Sequence, residues 1–205
     1  MKESSIVGIF PTPIYITNLN RNFSKKEINF INKTKSYTYK NEGNTTSKNT
    51  YILNNLIFKK LKQEINLTIK DYFNKIIVTK NNITPYITQS WLNYTETNQH
   101  HHKHEHPNSF LSGVLYINAV KEYDKIFFYK KDNYRMINPV VEQWNVYNSN
   151  LWWFPVETGQ LMLFPSSLTH SVETKKGNNT RISLAFNTFV KGTIGNNMEL
   201  TELML

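Results

Sequence analysis

The apolar residues of this chain change their spacing once, and that change limits what it can fold into. Up to about residue 77 they recur every four positions, at Leu53, Ile57, Leu61, Ile65, Ile69 and Phe73. Such spacing writes one buried face on a long helix, expected over residues 51–77. After "NNITP" the spacing falls to two. The segments "YITQSWLNYTE", "SFLSGVLYIN", "DKIFFY", "NLWWFPV", "GQLMLFP", "THSVE" and "RISLAFNTFV" are short, rich in β-branched and aromatic residues, and separated by turn residues. That is the pattern of strands. Helices followed by a run of strands predict an α+β, mainly β fold: an antiparallel double sheet braced on one side by N-terminal helices. A jelly roll is its natural closed form.

The N-terminal third adds local detail. Residues 7–17, "VGIFPTPIYIT", read as an opening strand interrupted by prolines. Ser24 followed by Glu27 is a capping box and predicts a helix through "KKEINFINKTKS". "EGNTTSKN" reads as a polar loop. No linker is visible, so one domain is expected over residues 1–205, with helices at about 24–77 and the sheet core at about 85–190.

The chain lacks cysteine, which excludes disulfides, thiolate catalysis, zinc ribbons and iron–sulfur clusters. The N-terminus has no long apolar signal core, and no apolar run reaches the length of a membrane span. A cytoplasmic protein with no membrane partner is expected. The net charge of +9 admits nucleic acid as a partner, but the basic residues are scattered rather than gathered in a tract. A solvated basic surface is the simpler reading.

Five of the six histidines lie in "NQHHHKHEHPNSF", and the sixth is His170 in "FPSSLTHSVE". On a strand, residues two apart share a face, so His104 and His106 of "HEH" project together. With His170 from another strand they would form a facial triad at a barrel mouth, leaving three coordination positions for substrates. Read by itself, "HHHKHEH" fits a solvated loop that binds metals loosely just as well.

The residues C-terminal to each histidine decide between the two. "HEHPNSFLSGVLYIN", then "GQLMLFPSSLTHSVETKKGNNTRISLAFN", resembles the core of the 2-oxoglutarate- and Fe(II)-dependent oxygenases. More narrowly, it resembles an uncharacterised subgroup of phages and marine bacteria with H-x-H-P, S-G-x-x-Y, F-P-S and R-x-S-x-x-F-N. The likeness covers residues 85–190 well and the N-terminal part loosely. It implies a double-stranded β-helix (jelly roll) fold, Fe(II) as metal, and 2-oxoglutarate and dioxygen as cosubstrates. By the resemblance His104 and His170 are iron ligands, with His100, His101 and His102 as flanking loop residues. His106 stands where the superfamily places a carboxylate. It is either the third ligand or a neighbour of a two-histidine site. Glu105 is expected to point away if the segment is extended, whereas a bulge would bring it in.

The resemblance also makes Arg181 the partner of the 2-oxoglutarate C5 carboxylate. A buried carboxylate calls for a planar, permanently charged, bidentate donor. Ser183 shares its side of the strand, and Tyr116 matches a tyrosine whose phenol donates to the same carboxylate. Trp91 and Asn93 are candidates for the pocket wall. The implied reaction is oxidative decarboxylation of 2-oxoglutarate coupled to hydroxylation of a C–H bond. The prime substrate is left open among a protein side chain, a small metabolite and a nucleobase. The aromatic segment of residues 146–156 reads first as core packing and second as a pocket lid. Two rival readings stand beside the oxygenase. One is a cupin-like three-histidine metalloenzyme that does not use 2-oxoglutarate; the other is a binding barrel without catalysis.

Overall fold

The computed structural model describes residues 3–131 and 139–205. Strand β1 (Tyr15–Asn18) precedes helix α1 (Lys25–Thr34). The hairpin strands β2 (Thr38–Lys40) and β3 (Thr45–Ser47) come next, then helix α2 (Lys59–Tyr72). The remaining strands are β4 (Ile83–Thr95), β5 (His101–His104), β6 (Leu111–Asn118), β7 (Lys125–Tyr129), β8 (Leu151–Pro155), β9 (Gln160–Pro165), β10 (His170–Val172), β11 (Arg181–Ile194) and β12 (Leu203–Met204). Two antiparallel sheets result. The larger has the order β1-β9-β6-β11-β4-β3-β2, with β12 beside β11, and the smaller has the order β5-β10-β7-β8.

The period-two pattern puts alternate residues on opposite faces of the larger sheet. On β9, Leu161 and Leu163 join Leu61, Ile65 and Ile69 of α2 in one buried cluster. Met162 and Phe164 join Val114, Tyr116, Ile126 and Phe128 in a second. With both faces covered, β6 is buried along nearly its whole length. No helix among the described residues is long and apolar enough to cross a membrane.

The structure bears out the capping box: the Ser24 side chain accepts from the Glu27 backbone and Glu27 accepts from the Ser24 backbone. Each of the seven segments read as strands contains one. Three expectations are corrected. The opening strand is only Tyr15–Asn18, since Pro11 and Pro13 cannot donate to a ladder. The helix expected over 51–77 begins as two 3₁₀ turns, Ile52–Asn54 and Leu56–Phe58, and ends in a π turn, Phe73–Ile77. The tighter turns advance the register, so Phe58 is buried where Ile57 was expected, and Ile57 is exposed. Finally, "EGNTTSKN" contains β3, whose Thr46 and Ser47 are buried against β4.

Candidate metal centre

The floor of the site is the inner face of β4, β11 and β6. Strand register lays its residues in rows. Arg181 pairs with Thr95; Ser183 lies between Asn93 and Tyr116; Ala185 lies between Trp91 and Val114. The smaller sheet supplies the opposite wall. His104 ends β5, His170 opens β10, and the two are register partners. His106 lies two residues beyond β5, with its N–H donating to the Ser166 carbonyl at 3.0 Å. All six residues singled out from the sequence, together with Trp91 and Asn93, line one cavity between the sheets.

One nitrogen each from His104, His106 and His170 gathers within 4.8 Å of the others. The backbone sets the ring tautomers. The His104 Nδ1 lies 2.8 Å from the His102 carbonyl, and the His170 Nδ1 lies 3.0 Å from the Leu168 carbonyl. A carbonyl only accepts, so both Nδ1 atoms carry the proton and both Nε2 lone pairs are free for a metal. Burial disfavours the charged imidazolium. It pushes His170 down to about 3 and His106 to about 4, with further depression from neighbouring histidines. His104 is lowered too, chiefly by burial. The three are therefore neutral donors near pH 7. Glu105 points away, as expected, accepting from the Thr169 hydroxyl at the surface.

Arg181, in the same cavity, is 3% exposed. Its Nη2 donates to Thr95 Oγ1 at 3.2 Å, whereas Nε and Nη1 have no hydrogen-bond partner among the described residues. Burial lowers its pKa, and the nearby Tyr116 and Asp124 oppose that. Lys175 is also buried, and Asp124 lies 3.7 Å from its Nζ. One buried carboxylate thus faces two buried cations. A guanidinium with two unpaired N–H groups in such surroundings suits an anionic guest. Tyr116 is fully buried and its pKa is raised by burial, which keeps the phenol protonated as a donor.

Two placements differ from expectation. His101 and His102 lie in β5 rather than in a loop. His170 pairs with His104, but Val172 pairs with His101, so β5 carries one extra residue. This bulge breaks the alternation and brings His101 to the cavity, its ring 4.6 Å from that of His104. Burial, with His104 beside it, holds the His101 pKa at about 2. The segment 146–156 is not mainly core: Val146, Tyr147 and Trp153 are exposed, although Val156 is buried and Phe154 packs on the inner cluster. None of its residues lines the cavity.

Sequence reasoning also missed a polar clasp. The Ser112 hydroxyl contacts Ser166 Oγ at 2.9 Å and donates to Asn187 Oδ1 at 3.0 Å; Ser166 in turn donates to Ser109 at 2.7 Å. Ser112, Ser166 and Asn187 belong to the S-G, F-P-S and F-N motifs. They hold Ser166, and through its carbonyl the segment carrying His106. The motifs were the available signal, but nothing in their spacing disclosed that they touch.

A family model described as "Putative 2OG-Fe(II) oxygenase" matches residues 89–187, which contain all of these groups. No functionally curated protein matches the chain. Among solved structures the chain is similar to the epimerase SnoN of nogalamycin biosynthesis, described as non-haem and α-ketoglutarate dependent (TM-score 0.62, 8% identity, 88% of this chain and 81% of that one). It is also similar to a prolyl hydroxylase of Trichoplax adhaerens in complex with a peptide of hypoxia inducible factor (0.61, 14%, 86% and 83%). A third is HygX of Streptomyces hygroscopicus with nickel, 2-oxoglutarate and hygromycin B (0.58, 12%, 86% and 82%). Over residues 89–187 the chain thus matches a model of the 2OG-Fe(II) oxygenases, and it shares the fold of these solved structures.

Proposed function

We propose that His104, His106 and His170 hold the Fe(II), that Arg181 with Ser183 and Tyr116 receives the C5 carboxylate of 2-oxoglutarate, and that the enzyme hydroxylates a C–H bond of its prime substrate. One observation carries this reading. The same cavity is lined by three converging imidazoles and by a buried guanidinium with two nitrogens unpaired among the described residues. When bound, Fe(II) supplies the redox chemistry by which 2-oxoglutarate and dioxygen become succinate and carbon dioxide while a C–H bond is oxidised.

The chain's own residues prepare that chemistry. The Nδ1–H bonds to the His102 and Leu168 carbonyls fix two rings with Nε2 inward. Arg181 offers a permanent charge and two donors to the distal carboxylate, and Tyr116 a protonated phenol. Val114, Ile126 and Phe164 provide apolar wall that excludes water. With three neutral ligands, no protein carboxylate offsets the metal's charge, and the incoming dianion takes that part.

The fold alone does not choose the prime substrate or the outcome. One neighbour is an epimerase, another holds a peptide, a third hygromycin B. We take the substrate to be a small molecule or a protein side chain, met in the cytoplasm. The test is anaerobic titration of the metal-free protein with Fe(II) and 2-oxoglutarate, watching for the weak visible charge-transfer band of the chelate, then succinate release when oxygen is admitted. A band with succinate supports the reading. Tight Fe(II) without any band on adding 2-oxoglutarate points to the three-histidine enzyme that does not use it. Absence of tight Fe(II) points to a binding barrel.

A further inference from the structure

The bulge in β5 creates a second gathering of nitrogens. His101, His102 and His104 each offer one ligand atom, all within 4.8 Å of one another. Their ring centroids lie 4.6–5.2 Å apart. The His102 Nδ1 is a buried atom without a hydrogen-bond partner among the described residues. A buried ring nitrogen left unpaired is costly unless something coordinates it. The β2–β3 hairpin holds this segment in place. The Gly43 carbonyl accepts from the His100 N–H at 3.0 Å, and Asn41 Nδ2, a donor only, lies 3.3 Å from His101 Nε2, a long contact that an ion on that nitrogen would replace. Gly43 itself has φ +89°, and a Cβ there would collide with the His100 ring, so the hairpin approaches as closely as the backbone allows.

We propose that His101, His102 and His104 form an outer site for a late first-row divalent ion such as cobalt, nickel, copper or zinc. Its occupation and that of the inner site exclude each other. The exclusion rests on one atom. Because the His104 Nδ1 is committed to the His102 carbonyl, only its Nε2 can ligate, and both sites need it. Imidazole-rich sites favour these ions over Fe(II) in the order of divalent stabilities. An ion in the outer site therefore removes a ligand from the iron. Only the exclusion rests on the oxygenase reading; the binding itself does not.

The test uses the full metal-free chain and Co(II), whose ligand-field absorption reports its coordination. In His170→Ala the inner site keeps two histidines and the outer site is untouched. We expect this variant to bind one Co(II) with affinity within about thirtyfold of the wild type, and its spectrum to be unmoved by 2-oxoglutarate. Adding His102→Ala should then weaken Co(II) by about tenfold or more, a loss at the scale of a removed metal-site partner. His102→Gln serves as the second form should the alanine variant not fold, as judged by circular dichroism. A loss beyond about thirtyfold in His170→Ala alone overturns the outer site, as does a double variant within about tenfold of it. A Co(II) spectrum in His170→Ala that still shifts with 2-oxoglutarate overturns it as well. A missing charge-transfer band in the wild type bears instead on the oxygenase reading and leaves this result standing.

Discussion

His104 and His170 are register partners on adjacent antiparallel strands, with ring centroids 4.3 Å apart. Residues far apart in the chain are thus set side by side by a backbone ladder, and two Nδ1–H bonds to carbonyls aim their free nitrogens. The pair is organised before any ion arrives. Replacing His170 with alanine should therefore dismantle the inner iron site without removing the fold. We expect the 2-oxoglutarate charge-transfer band to fall by about tenfold or more, whatever Fe(II) the outer histidines retain. Anaerobic absorption titration, with circular dichroism as the folding control, checks this. A band of normal intensity in the variant would remove His170 from the ligand set.

Arg181 makes an opposite demand on stability and on binding. Two of its nitrogens are buried and have no partner among the described residues, so the guanidinium contributes little to the fold. With 2-oxoglutarate bound, it would be the main anchor. Arg181→Met should leave the thermal midpoint of the metal-free protein unchanged or higher. The same change should cost about 2–5 kcal/mol of 2-oxoglutarate binding, roughly thirtyfold or more in affinity. Fe(II) affinity should be unaffected. Unaltered 2-oxoglutarate affinity would favour the three-histidine enzyme.

The buried histidines also fix an acid limit. His170 and His106 titrate at about 3 and 4 in the fold, against about 6.5 unfolded. Between these values the unfolded chain binds more protons, so stability is lost as pH falls below about 6.5 and is fully present above it. Each such histidine costs about 2 kcal/mol at pH 5. His101, held at about 2, adds a third, and together they should lower the midpoint of the metal-free protein by roughly 15 °C between pH 7 and pH 5. His170→Gln, which cannot titrate, should flatten that slope by about a third. An equally steep slope in the variant would place the acid sensitivity elsewhere.

Much of this was legible because the physics is local or repetitive. Period-two alternation located the strands, and the Ser24 capping box located α1. The resemblance of its motifs to the oxygenases drew out the six candidate residues that meet in one cavity. What stayed hidden depends on register. Thr95 faces Arg181 only because of how β4 pairs with β11. His101 was expected in a flanking loop, but a single extra residue in β5 brings it to the cavity. The polar stretch around Thr46 paired with β4 because its hydroxyl bonds to Asn93 at 2.8 Å, which no apolar pattern announces.

Gly113 gives the resembling S-G-x-x-Y motif a physical reason and supplies the last prediction. It is the register partner of Phe186, and a Cβ there would enter the Phe186 ring at three of its atoms. Its φ is not in the left-handed region, so the requirement is space and not backbone freedom. Phe186 is fully buried among the residues that α2 packs on, and both residues also line the cavity. Gly113→Ala should therefore cost about 1–3 kcal/mol by overpacking, a drop in midpoint of about 2–4 °C per kcal/mol. If the displaced ring moves toward the cavity, 2-oxoglutarate binding weakens in the same variant while the metal ligands stay in place. Trimming the obstacle separates the causes. Phe186→Leu alone should destabilise, but in Gly113→Ala/Phe186→Leu the two losses should sum to less than their parts, with a coupling of about 0.5–3 kcal/mol. Strict additivity in that cycle would mean that Gly113 is kept for some reason other than room for Phe186.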